Sequence, residues 1–94
     1  MGIMNVFCKH TSASISVNEN YDSDVKKDME DALNRIVKED NSLYRHTSEG
    51  SDDMPAHIKS QLVGVSLSIP ITNGTLNLGT WQGLWLNEHR NGTH

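Results

Sequence analysis

Val65-Ser-Leu-Ser-Ile-Pro-Ile-Thr-Asn-Gly-Thr-Leu76 is the stretch that decides the fold. Val65, Leu67, Ile69 and Ile71 alternate with Ser66, Ser68 and Pro70, the period-two pattern of a strand with one buried face. Asn73-Gly74 then supplies two residues that tolerate positive φ, so the chain is expected to turn back there. Leu76 and Leu78 open the returning strand, and Leu84 to Leu86 mark another after Gly83. The pattern predicts one continuous antiparallel sheet for the strands beyond Gly64.

Working outward, Val6 and Cys8 alternate with Asn5, Phe7 and Lys9, a short strand ending near His10. Ile15 and Val17 alternate with Ser14, Ser16 and Asn18 in a second strand. Asp22-Ser23-Asp24 offers oxygens that accept from the unpaired N–H groups of a helix start. Val25, Met29, Leu33, Ile36 and Val37 follow at helical spacing, the best amphipathic helix of the chain, to about Lys38. Residues 40–53 are polar and turn-rich, and a loop of that length in a small domain is often functional. Asp53 suits the N-cap of a second helix with Pro55 in its first turn, and Gly64 suits its stop. Strand, strand, helix, loop, helix and three strands make an α+β chain.

With 94 residues there is room for one domain and a small core. Aromatic residues are only 5%, so Phe7, Tyr21, Tyr44, Trp81 and Trp85 carry most of the large apolar surface, and self-association would bury more. The net charge of -4, with no basic run longer than Lys26-Lys27, excludes an electrostatic nucleic-acid binder. Cys8 is the only cysteine, so the chain holds no internal disulfide. No apolar stretch reaches the length of a membrane span, and the start lacks a signal-peptide hydrophobic region. A cytoplasmic location is the expectation by elimination.

Three histidines fall at element boundaries: His10 at a strand end, His46 in the polar loop, His57 in the first turn of the second helix. A neutral imidazole offers a lone pair to a zinc-like ion, although this spacing is no local metal signature. The competing reading gives His10 to a strand end, His46 to solvent and His57 to helix packing. Glu19 follows the second strand, where it is either a ligand or general acid/base, or a solvated turn carboxylate. Thr11 and Ser12 suit an anion contact or a self-satisfied turn. Asp52 and Asp53 could orient a histidine or bind metal, with the cap role sufficient for Asp53. Two glycines bracket Thr80-Trp81-Gln82, as where a strand bends or a backbone approaches another surface. Trp81 and Gln82 are therefore either pocket wall or packing.

Leu76-Asn-Leu-Gly-Thr-Trp-Gln82, Lys9-His-Thr-Ser-Ala13, Pro55-Ala-His-Ile-Lys59, Asn18-Glu-Asn20, Tyr44-Arg-His46 and Asp52-Asp53 together resemble the YjbQ-like family. The resemblance runs from about Gly2 to Asn91. Many members are labelled secondary thiamine-phosphate synthases, which join a pyrimidine bearing a pyrophosphate leaving group to a thiazole phosphate. The resemblance implies a two-sheet sandwich with two helices and a homotrimer. It also implies that residues 1–94 are a single domain incomplete at both termini.

It assigns His10, His46 and His57 to a divalent metal, zinc or magnesium, and Glu19 and His57 to catalysis. Thr11, Ser12, Asn20, Trp81 and Gln82 would contact a small anionic metabolite. The chain has no Gly-rich phosphate loop and no Lys/Arg cluster, which keeps two alternatives open. One is a non-catalytic trimeric protein binding metal or a small anion; the other is a nonfunctional shortened form.

Overall fold

The computed structural model describes residues 1–90, so the Asn91 end of the resemblance lies outside the described residues. Five strands and two helices follow in the order β1 (Gly2–Phe7), β2 (Ala13–Glu19), α1 (Ser23–Ile36), α2 (Asp53–Val63), β3 (Ser66–Thr72), β4 (Thr75–Leu76) and β5 (Gln82–Glu88). A single 3-10 turn, Asn41–Leu43, interrupts the polar segment between the helices. The class is α+β, as the element order predicted.

The strands form two antiparallel sheets. One has the order β1-β3-β4, the other pairs β2 with β5. Asn73 (φ 53°) and Gly74 (φ 77°) make the tight turn between β3 and β4, where positive φ is required at both positions. The single continuous sheet expected beyond Gly64 does not form, because β5 leaves β4 and pairs with β2 instead. A small turn causes the exit: the Gly79 N–H donates to Gln82 Oε1 at 2.8 Å, and the Gln82 N–H donates to the Gly79 carbonyl at 3.1 Å. Gln82 then opens β5 opposite Glu19.

Helix α2 is pinned to β2. Ala56 is completely buried, and the buried Ser60 hydroxyl donates to the Ala13 carbonyl at 2.7 Å. Gly64 ends the helix with φ 109°, and its carbonyl accepts from the Ile15 N–H at 3.1 Å. The core around this joint is Ala13, Ile15, Ala56, Ile69 and Trp85, with Val37 closing the stretch after α1.

The best amphipathic helix of the sequence is held more loosely. Helix α1 starts as expected, with Asp22 accepting from the Asp24 N–H, yet it buries no residue and Ile36 is 71% exposed. Its Met29 and Leu33 line, together with Trp85, clefts of about 290 and 180 Å³. No helix among the described residues is long and apolar enough to cross a membrane.

Candidate metal centre

Asp53 opens α2, and His57 follows one turn later on the same side, so the two side chains meet at the helix start. The cap itself is Asp52, whose side chain makes no capping bond. Asp53 is thereby freed from the cap role the sequence suggested. Its carboxylate turns to the histidines: Oδ2 lies 2.7 Å from His46 Nε2 and 3.0 Å from His57 Nε2. These three ligand atoms all lie within 4.8 Å of one another. The His46 and His57 rings stand 5.5 Å apart between centroids.

The far side of each group is also fixed. His57 Nδ1 lies 2.9 Å from the Thr11 carbonyl and 3.1 Å from Ser12 Oγ. A carbonyl only accepts, so Nδ1 carries a proton, and Nε2 faces the Asp53 carboxylate either as the second N–H of an imidazolium or as the bare nitrogen of a neutral ring. Asp53 Oδ1 meets Arg90 Nη1 at 3.3 Å, and Arg90 Nη2 donates to the Glu49 carbonyl at 2.9 Å. Burial pushes the Asp53 carboxyl up, but the His46 hydrogen bond and the charges of His57 and Arg90 outweigh it and leave it below its ordinary value.

His10 was expected as a third imidazole ligand; the group whose atoms converge is His46, Asp53 and His57. The His10 Nδ1 lone pair accepts from the Ser12 N–H at 3.0 Å, which ties the ring to the bend between β1 and β2. His10 nonetheless shares with His57 an open cleft of about 890 Å³, also lined by Phe7, Lys9, Thr11 and Gln61. Thr11 and Ser12 lie beside the centre, where the Thr11 carbonyl and Ser12 hydroxyl both face His57 Nδ1.

Glu19, Asn20, Trp81 and Gln82 gather elsewhere. Ala13 pairs with Glu88 and Glu19 with Gln82, so these residues occupy the other end of the β2–β5 ladder. Six strand steps separate Ala13 from Glu19, roughly 20 Å of chain. Trp81 is exposed and stacks edge-on against Tyr21, with centroids 5.1 Å apart, while its carbonyl accepts from the Asn20 N–H at 2.7 Å. Within one chain, the expected approach of Glu19, Trp81 and Gln82 to the histidines does not occur.

Sequence reasoning missed Arg90 and underweighted Asp53. The usable signal for Asp53 was its four-residue spacing to His57; Arg90 carried none, because its partners are some forty positions away. His89 was missed too. It sits beside the Ala13 end of the ladder, with Nε2 2.8 Å from the fully buried Ser14 hydroxyl.

The model of the YjbQ-like UPF0047 family matches residues 1–93. The chain is 53% identical over 89 residues to the UPF0047 protein YjbQ of Salmonella typhimurium, covering 95% of this chain and 64% of that protein. A UPF0047 protein of Synechocystis is 53% identical over 93 residues, which is 99% of this chain and 63% of its own length. This chain therefore spans a little under two thirds of those relatives. The crystal structure of a YjbQ/UPF0047 family protein from Clostridium acetobutylicum superposes with a TM-score of 0.84 at 42% identity, covering 94% of this chain and 65% of that one. A conserved hypothetical protein from Thermus thermophilus gives the same TM-score at 34% identity, covering 94% and 68%. With helices, sheets and nearly every residue matched, the chain belongs to the YjbQ-like UPF0047 family.

Proposed function

We propose that this protein binds a divalent ion of the zinc class through His46 Nε2, His57 Nε2 and Asp53 Oδ2. The observation that carries the reading is the orientation of His57. Its Nδ1 proton is committed to the Thr11 carbonyl, so Nε2 is the ring nitrogen turned to a carboxylate oxygen 3.0 Å away. Positive charge belongs between these two atoms, supplied either by an Nε2 proton or by a bound cation. A backbone carbonyl on the outer ring nitrogen is also the arrangement that orients metal-ligating histidines. Tetrahedral ligands about 2.0–2.1 Å from an ion stand about 3.3 Å from each other. The separations of 2.7 and 3.0 Å require only a small opening.

Three protein ligands leave a fourth position for water or an oxyanion. The cleft beside His57, with Lys9 and His10 in its wall, supports a small anionic metabolite as the second ligand of a cytoplasmic protein. The thiamine-phosphate transfer implied by the resemblance belongs to the same reading, since a metal supplies charge neutralisation for a departing pyrophosphate. Turnover of that substrate pair is the assay for it.

The binding test is titration with zinc, with elemental analysis of the purified protein. His57→Ala is expected to lose more than about 100-fold in affinity, since even outer-shell partners are worth 10–100-fold. The helix should persist, because alanine is a good helix former. Affinity should also fall as the pH is lowered, because protons compete with the ion for the same ring nitrogens. Equal zinc affinity in both proteins rules the centre out.

A further inference from the structure

The two oxygens of Asp53 are dealt to different partners. Oδ2 faces the two histidines, while Oδ1 is held by Arg90 Nη1 at 3.3 Å. Arg90 in turn is fixed by the Glu49 carbonyl at 2.9 Å and lies 3.5 Å from Asp52 Oδ1. Its side chain is 21% exposed, and Asp53 beside it is 7% exposed, so the guanidinium is not a loose surface charge. The backbone on the opposite side is equally confined. Gly50 holds φ 113°, and a Cβ there would come within 3.3 Å of Asp52 Oδ1 and 3.7 Å of Arg90 Nη2.

A carboxylate with both oxygens available tends to bind large hard cations through both, whereas small tetrahedral ions accept one oxygen. From this division of oxygens we propose that Arg90 sets the metal selectivity of the centre: by occupying Oδ1 it makes Asp53 a one-oxygen ligand. Arg90 is a positioning residue, touching the ligand and never the ion. The inference rests on the metal reading above and deepens it, turning "a divalent ion" into a four-coordinate one of the zinc class rather than manganese or calcium. A planar guanidinium fits this task better than an ammonium, since it grips Asp53 and the Glu49 carbonyl through separate nitrogens of one rigid fork.

The experiment compares zinc and manganese affinities in the full chain for the wild type, Arg90→Gln and Arg90→Lys, with cobalt as the spectroscopic probe. Arg90→Gln is expected to weaken zinc by about 10- to 100-fold, the range for losing an outer-shell partner. Manganese binding should hold or rise, so the zinc-to-manganese ratio falls by at least about tenfold. Arg90→Lys should recover part of the ratio. The wild-type cobalt complex should show the intense visible absorption of four-coordination, weakening toward a higher-coordinate spectrum in Arg90→Gln.

A purely structural role for Arg90 would lower the melting temperature without changing the ratio or the spectrum. Zinc binding with an unchanged ratio in both variants, or a weak six-coordinate cobalt spectrum in the wild type, overturns the role of Arg90 and leaves the centre standing. A wild type that binds neither zinc nor cobalt overturns both. Should Arg90→Gln fail to fold by circular dichroism, Arg90→Lys and the wild-type cobalt spectrum decide alone.

Discussion

Both nitrogens of the His57 imidazole face oxygen atoms, and the same ring type meets a different environment at His89. There, burial and the nearby Lys59 charge hold the imidazole below its usual value against the opposing pull of Glu88. An unfolded chain therefore binds this proton more readily than the folded one. The sign follows: the His89 contribution is complete above the unfolded value of about 6.5 and is lost as the pH falls below it. Melting temperatures measured from pH 7.5 to 5 should drop less steeply in His89→Gln than in the wild type; parallel curves would contradict the assignment. Residue by residue, legibility tracked locality. His46 and His57 stood out as polar groups at element boundaries. Asp53 was masked because a helix cap already explained it, and nothing local shows that the His10 lone pair serves the Ser12 N–H.

Elements were easier to read than their partners. The alternation through β3, the Asn73-Gly74 turn and the Gly64 stop were all visible in composition and spacing. The destination of β5 was not, since sheet membership depends on pairing between distant residues such as Ser14 and Asn87. Period alone does not name a partner. The β2–β5 ladder now separates two neighbourhoods that the sequence reading had merged. Gly83 offers a way to test that separation, because a Cβ there would come within 2.6 Å of Asn20 Nδ2 and 2.7 Å of Asn20 Cβ. Gly83→Ala should cost about 1–3 kcal/mol by overpacking, read by denaturant unfolding. Zinc affinity should stay within about twofold, since Gly83 lies five strand steps from the Ala13–Glu88 end of the ladder. A large loss of affinity would show that the two ends of the ladder act as one site.

For the whole molecule, the apolar surface is the controlling quantity. Ile3, Phe7, Leu62 and Leu86 are 72, 61, 61 and 76% exposed, more large side chains than a chain so poor in aromatics would leave in water alone. Self-association, with a trimer as the expected state, should appear in sedimentation of this chain and of one extended to the length of its relatives. A well-folded monomer at micromolar concentration in both would contradict it. One consequence of the way His57 is anchored concerns the order of assembly. The three groups of the candidate centre fall between positions 46 and 57, so closing them into a ring costs little chain entropy. Yet the Nδ1 proton that aims His57 is set by the Thr11 carbonyl, 46 positions away. That contact waits for β2 to dock, and β2 is laid down by pairings as distant as Ala13 with Glu88. On the metal reading proposed above, ion capture would be the last act of folding, and its rate during refolding would read out when the long-range strands have met.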